Sequence, residues 1–373
     1  MLKLNSDNQI DQIIKQQNIQ SKYNINGILK MAVDLKASDV HITVAAPPYV
    51  RINGKLVPMI KDTLRLEDSY DLVKQVLNES QFEYLRENGE IDLSYSVPDV
   101  GRFRVNAFKQ RGSYCMVLRL ISFQAPTMQS LGLPENFKNL CALRRGLILV
   151  TGPTGSGKST TLASMVSYMN KTRNDHIVTI EDPIEFLHKH GSCIVNQREV
   201  GIDTKSFANA LKSSLREDPD IILVGEMRDQ ETIATAITAA ETGHLVLTTL
   251  HTIGATKTID RIVDSFPPHQ QQQIKIQLAG MIEAVISQQL LPTIDGKSRV
   301  IALEVMTATP AIRNLIREGK THQLQTILQT GSKYGMITMD KSIINLYRER
   351  KISMDTAIKF AVDQEYIMKE LGV

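Results

Sequence analysis

The octapeptide GPTGSGKS, residues 152–159, follows the apolar run LILVT and precedes the helical pattern KSTTLASMVSYMNK. It satisfies G-x-x-x-x-G-K-[ST] and lies where that loop must lie, between a strand and a helix. A chain built around such a loop is pressed toward a buried, mostly parallel sheet with the loop at its edge. Along Gly152, Pro153, Thr154, Gly155, Ser156 and Gly157 the backbone can close around phosphate. Lys158 then reaches the β- and γ-phosphates, the Ser159 hydroxyl is placed to ligate Mg²⁺, and Thr160 approaches the α-phosphate. ATP or ADP with Mg²⁺ is the expected ligand. A glycine-rich turn without a ligand is the weaker reading, because motif and setting agree.

A phosphate loop predicts nucleotide binding but not hydrolysis, so acids at the ends of neighbouring strands decide the chemistry. HIVTIEDPIEF ends one apolar strand with Glu181 and Asp182, and Pro183 breaks it. DIILVGEMRD ends another, with Gly225 where many such proteins place an Mg²⁺-binding Asp and Glu226 one place later. Glu226 is suited to polarise the attacking water or to hold Mg²⁺ through water. A solvated strand-end charge is the alternative for each acid taken alone. In TGHLVLTTLHT the strand is flanked by His244 and His251, and its far end should emerge beside the phosphate loop. His251 is then poised to sense the γ-phosphate, whereas His244 is open between a structural and a functional role.

Upstream, from Ile25 onward, a helical pattern gives way to short alternating runs: DVHITV, PYVRING, KLVPM, IDLSYSV, GRFRVNAFKQ and SYCMVLRLI. These predict a small α+β domain over 23–124. Arg102 and Arg104 are two apart and share a strand face, with Arg119 on the next strand. Either they form a basic solvated face or they supply an arginine finger to a phosphoryl group. Residues 1–22 read as a loosely held extension and 125–135 as a linker. An α/β domain with a mostly parallel sheet is predicted over 136–373, with QIKIQLAGMIEAVISQQLL as one long helix and a helical region from about 293.

The bulk numbers exclude more than they assign. The 43 basic residues nearly balance the 40 acidic ones, a formal charge of +3, which argues against nucleic acid or anionic lipid as a bulk partner. An aromatic share of 5 % without tryptophan leaves few stacking platforms for a nucleic-acid translocase. No apolar run approaches the roughly 20 residues of a spanning helix, so no direct membrane insertion is expected. The three cysteines lie far apart, which suggests neither zinc site nor disulfide and fits a reducing cytoplasm.

LREDPDIILVGEMRD, residues 215–229, closely resembles the signature of secretion-type ATPases, the motors of type II secretion and of type IV pilus assembly and disassembly. IEDPIEF resembles that family's aspartate box and TGHLVLTTLHT its histidine box, while KASDVHI and PPYVRINGKL extend the match upstream. The resemblance implies a PAS-like N-terminal domain joined to a RecA-like P-loop ATPase domain in a cytoplasmic homohexamer. It implies that Glu226 is the catalytic glutamate, that Glu181 is the acid of its box, and that His251 ends the histidine box. By the same resemblance Arg104 and Arg119 are the small-domain arginines that contact the triphosphate.

AIRNLIREGK, residues 311–320, is similar to the segment marking the pilus-retraction branch of the family. Thr309, Pro310 and Gly319 predict a short helix. Ile312, Leu315 and Ile316 should pack it, while Arg313 and Arg317, four apart, seek an acidic partner in the ring or on an inner-membrane pilus platform protein. The missing four-cysteine insert and missing extra N-terminal domains favour retraction over extension or type II secretion. A weakly hydrolysing accessory subunit of the pilus machinery is the remaining alternative.

Overall fold

The computed structural model describes residues 23–121 and 125–372, so the extension anticipated over 1–22 lies outside the described residues. The chain divides into two compact units between residues 123 and 124. In the first, β1 (Asp39–Ile42), β2 (Tyr49–Ile52), β3 (Lys55–Pro58), β4 (Glu90–Val97), β5 (Gly101–Gln110) and β6 (Ser113–Ile121) form one sheet in the order β3-β2-β1-β6-β5-β4. Every neighbouring pair is antiparallel. Along β5 the two-residue period is plain: Phe103, Val105 and Ala107 are buried, whereas Arg102, Arg104 and Asn106 take the other face. Helices Ile25–Asp34, Leu66–Val76 and Glu79–Asn88 bring Leu29, Leu72, Val73 and Leu85 into a core with Val40, Val105, Met116 and Leu118. The third of these helices shows why its sequence stops and starts where it does. Asn78 and Gln81 exchange side-chain to backbone hydrogen bonds at 2.9 and 3.0 Å, and Gly89 ends the helix at φ 89°.

The second unit is built on a seven-stranded sheet. Its strands are β7 (Gly146–Thr151), β8 (His176–Glu181), β9 (Ile194–Glu199), β10 (Ile221–Val224), β11 (Leu245–Leu250), β12 (Ile282–Pro292) and β13 (Arg299–Thr307), in the order β13-β12-β7-β11-β10-β8-β9. All neighbours are parallel except the antiparallel pair β12 and β13. Central β7 is buried throughout and feeds two cores. Leu147 and Leu149 pack with Leu211, Ile237 and Ile262 from helices Phe207–Ser214, Gln230–Glu241 and Ala255–Asp264. Ile148 and Val150 pack on the opposite side with Leu162, Met165 and Val166 from helix Lys158–Thr172. Each such side chain contributes about 1.5–3 kcal/mol of burial, enough to explain why this run is continuously apolar rather than alternating.

Three expectations are corrected. The run QIKIQLAGMIEAVISQQLL is not one helix: helix Pro268–Met281 ends and β12 follows directly. The reason is tertiary, because Ile282, Val285 and Ile286 are buried between β7 and β13, where β-branched residues fit a pleated surface. The region from 293 is not helical at first. Arg299–Thr307 is the strand β13, and the helices begin only with Pro310–Glu318. Segment 125–135 is a series of turns that buries Met128 and Leu133 in the second core, not a free linker. Strand β9, within CIVNQRE, was not anticipated, since its Asn, Gln and Arg mask the pattern.

One buried acid ties β13 to the loop after β11. Glu304 accepts the Ala255 N–H at 2.8 Å. Burial pushes its carboxyl above the usual range, the Ala255 and Met339 N–H groups oppose that, and nearby Asp340 adds to it. Because the folded state holds this proton more tightly than the unfolded chain, the stability it contributes is full below about pH 4.5 and is lost as pH rises through the folded value. Glu304→Gln keeps the acceptor and removes the charge. Thermal melts should therefore place it above the parent chain at pH 8 and level with it near pH 4.5; a variant less stable at pH 8 would show that the ionised form is the stabilising one.

Candidate nucleotide site

Parallel register sets the site. Thr151 pairs with Leu250, and Val224 pairs with both Thr248 and Ile180, so β7, β11, β10 and β8 finish along one edge. The residues just beyond those ends are the phosphate loop, His251, Glu226 and Glu181. They line one cavity of about 620 Å³ together with Ser159 and Thr160. The sequence expectation that these segments share a sheet edge is met.

The loop needs its glycines for two separate reasons. Gly152 has φ 142°, and a Cβ there would lie 2.3 Å from the Gln288 carbonyl oxygen of β12. Gly157 takes the left-handed conformation at φ 87° and caps helix Lys158–Thr172 without any side-chain acceptor. The first-turn N–H groups of that helix are thus free to meet an anion. Lys158 is buried and folds back on its own loop, donating to Gly152 O at 2.9 Å and Pro153 O at 3.2 Å. Burial lowers its pKa, and the carboxylates of Glu226 and Glu185 counter that.

Around Lys158 the catalytic candidates form a connected chain. Lys158 Nζ lies 3.5 Å from His251 Nδ1, and His251 Nε2 lies 3.0 Å from Glu226 Oε1. An ammonium can only donate, so Nδ1 accepts and the proton sits on Nε2, from which it is donated to Glu226. The second oxygen, Oε2, accepts from Arg228 Nε at 2.7 Å. Gly225 makes this turn possible: its N–H reaches Ile180 O at 2.7 Å, and a Cβ would stand 3.2 Å from that same oxygen. A Cβ there would also stand 3.4 Å from Glu181 Cα and from Phe207 Cε1, so any larger side chain would have to push these neighbours aside.

Glu181 accepts from Thr179 Oγ1 at 2.6 Å and from Gln197 Nε2 at 3.1 Å. Burial raises its pKa against the effect of those two bonds, the kind of perturbation found where protons or charges are handled. Gln197 also donates to Phe186 O at 2.9 Å and accepts the His188 N–H at 2.7 Å, pinning the 182–190 loop over the cavity. His188 lines the cavity, and burial lowers its pKa to about 4, so it is neutral at physiological pH. His244 is not brought to this cavity. It lies at the start of β11, away from the site, with Nδ1 against Ala239 O at 2.8 Å.

Arg104 and Arg119 belong to the first unit, where they stand opposite one another on β5 and β6. Arg119 donates to Asp39 Oδ1 at 2.8 Å and Arg104 is exposed. Helix Pro310–Glu318 forms as expected, capped by Thr309 Oγ1 at 3.4 Å, with Ile312 and Ile316 buried and Leu315 packed partly against the same core. The acidic partner of Arg313 lies in its own chain, which corrects the expectation of one in the ring or on a platform. Its guanidinium reaches Glu283 Oε1 at 2.8 Å and the carbonyls of Ala279 and Gly280 at 3.0 and 2.9 Å, capping helix Pro268–Met281. Among the described residues Arg317 has no ion pair and is exposed. Arg228, His188, Gln197 and Gln288 were missed from the sequence. A pair of glutamines inside an otherwise apolar strand, 288 and 289, is the available signal, since buried amides require partners.

Residues 15–369 match the family model described as "Type II/IV secretion system protein". The chain belongs to that family. As a secretion system family member it is 49 % identical over 333 residues to the "Type IV pilus retractation ATPase PilT" of Pseudomonas aeruginosa, covering 89 % of this chain and 96 % of that protein. It is 48 % identical to a "Twitching motility protein" of Neisseria gonorrhoeae, covering 85 % of each. Among solved structures, "Crystal Structure of the Pilus Retraction Motor PilT and Bound ADP" superposes with a TM-score of 0.85 at 48 % identity, over 93 % of this chain and all of that one. The second unit is accordingly a RecA-like α/β domain. If Lys158 is the phosphate-binding lysine, Lys158→Ala should weaken ADP binding roughly tenfold to a hundredfold, the scale of one charge-assisted hydrogen bond. Calorimetric titration with ADP decides it, and an unchanged affinity would remove Lys158 from the site.

Proposed function

We propose that this chain is an ATP-hydrolysing motor that powers type IV pilus retraction, working as a cytoplasmic homohexamer against an inner-membrane pilus platform protein. It is an ATPase of the secretion family, and the retraction role is what its most similar relatives carry in their names. The observation that carries the enzymatic reading is the chain from Lys158 through His251 to Glu226 at the mouth of a phosphate loop. Nucleotide binding without turnover would not require a glutamate held there by two donors.

The chemistry asks for positioning and charge compensation more than for covalent steps. Triphosphate entering the loop offers Lys158 better acceptors than two backbone carbonyls, so Lys158 leaves Gly152, Pro153 and His251. His251 Nδ1 is then free to accept from the attacking water beside the γ-phosphate, and Glu226 orients or deprotonates that water. Ser159 lines the cavity and fits an ion held mainly by phosphate oxygens, with Glu226 reaching it through water. Mg²⁺ bound there would offset the charge on the β- and γ-phosphates. Glu181 completes the acid lining. In this reading Arg104 and Arg119 come from a neighbouring subunit and compensate the developing charge.

Two outcomes test the proposal. Glu226→Gln should bind ATP within about threefold of the parent chain while turnover falls at least roughly a hundredfold, the usual share of a general base; steady-state hydrolysis at the parent rate would exclude Glu226 from that role. Arg317→Ala should leave hydrolysis near the parent rate and abolish pilus retraction in cells deleted for the gene. Retraction and hydrolysis falling together would place helix Pro310–Glu318 in the fold or the catalytic apparatus instead of in coupling.

A further inference from the structure

Gln288 of β12 is fully buried, yet its side chain spends both of its polar ends on the start of the nucleotide site. Its Nε2 donates to the Ser156 carbonyl at 2.6 Å, and its Oε1 accepts from Thr161 Oγ1 at 2.9 Å. The orientation of the amide is fixed by chemistry, because a carbonyl can only accept and so must face the nitrogen. We propose that Gln288 is a positioning residue for nucleotide binding, one that sets the direction of the Ser156–Gly157 peptide and through it the direction of the Gly157 N–H.

The argument rests on the geometry of one peptide. In a planar trans peptide the carbonyl and the following N–H point to opposite sides. Holding Ser156 O outward toward β12 therefore aims the Gly157 N–H away from β12, into the loop where phosphate is to bind. Glycine 157 at φ 87° has little intrinsic preference to keep that peptide from turning over. An external acceptor-binding group is what removes the choice. Gln288 touches the loop at a second point as well, since its own carbonyl occupies the space where a Gly152 Cβ would stand. Both ends of the loop thus bear on one residue of one strand. The bond to Thr161 anchors the amide to helix Lys158–Thr172, so the brace moves with the loop it holds.

Ser287 extends the arrangement to the opposite face. Successive residues of a strand point to opposite sides, and Ser287 Oγ accepts the Gly254 N–H at 2.9 Å in the loop that follows His251. One dipeptide of β12 therefore holds the phosphate loop from one face and the histidine loop from the other.

The test uses the full chain, with Gln288→Glu and Gln288→Met compared against the parent. Glutamate keeps the shape and the Thr161 bond and, in its ionised form at the alkaline pH where the comparison is made, turns an acceptor toward the Ser156 carbonyl, while methionine keeps the volume and makes neither bond. Each should raise the dissociation constant for ADP roughly tenfold or more and the KM for ATP in parallel, with kcat at saturating ATP within about threefold. The ADP-induced rise in melting temperature should shrink accordingly, because that rise reports affinity. A lower melting temperature without nucleotide combined with parent-like ADP affinity would overturn the proposal and make Gln288 a packing residue. Should methionine prevent folding, the nearly isosteric glutamate variant decides. The inference rests on the nucleotide reading of the site: a parent chain that failed to bind ADP would overturn both, whereas a parent that binds alongside unaffected variants overturns this inference alone.

Discussion

Four parallel strands ending level with one another is the constraint on which the second unit depends. Parallel pairing of β7 with β11, β11 with β10 and β10 with β8 forces the chain to return by a helix each time, and the return always reaches the same edge. Phosphate loop, glutamate, histidine and aspartate-box acid are far apart in sequence, but the register leaves them nowhere else to go. The cores on the two faces supply the rigidity. With Leu147 and Leu149 packed on one side and Ile148 and Val150 on the other, β7 cannot shift by one residue without exchanging its two faces. The phosphate loop inherits that fixity at Thr151.

Given such a scaffold, the site manages a problem of charge. Lys158 is buried, and a buried ammonium without partners is costly. Two carbonyls and the histidine ring take its three hydrogens, and the carboxylates of Glu226 and Glu185 offset its burial. The same bonds fix the tautomer of His251 and give one oxygen of Glu226 a donor, while Arg228 takes the other. Lys158, His251 and Glu226 are thereby linked to one another through their own hydrogen bonds. Phosphate has to displace these partners rather than fill a void, and its entry is felt at once by Lys158, His251 and Glu226.

Much of this was legible in the sequence because the informative groups sit in local patterns. GPTGSGKS declares itself through a glycine spacing that only one backbone shape explains, and the strands β7, β10 and β11 declare themselves as short apolar runs bounded by turns. Glu226 and His251 were legible by position, as the first polar residues after buried strands. What could not be read was whatever depends on a partner distant in the chain. Whether IEAVISQQLL is helix or strand is decided by the open edge of β7, which no local pattern encodes. Gln288 and Gln197 look like ordinary amides until Ser156 and Glu181 are placed beside them. For Arg313 the sequence supplied the need for an acid but not its address, since Glu283 lies thirty residues upstream.

That address changes how the AIRNLIREG helix is to be understood. Glu283 is the second residue of β12, and the same strand carries Ser287 and Gln288 a few residues on. Arg313 grips β12 near its start through Glu283, and grips the end of helix Pro268–Met281 through two carbonyls. A strand hydrogen-bonded along both edges, to β7 and to β13, is stiff along its length, and its packed surroundings leave little room to absorb a displacement locally. Force applied to the helix therefore has two outcomes. It breaks the three bonds of Arg313, or it is carried along β12 to the dipeptide that holds the phosphate and histidine loops. In the proposed motor the second needs no wire of side chains between distant sites: a single strand has the helix tied to one end and the phosphate and histidine loops tied to its middle. Arg317, exposed and without an ion pair among the described residues, is then the charge on that helix left to meet whatever moves.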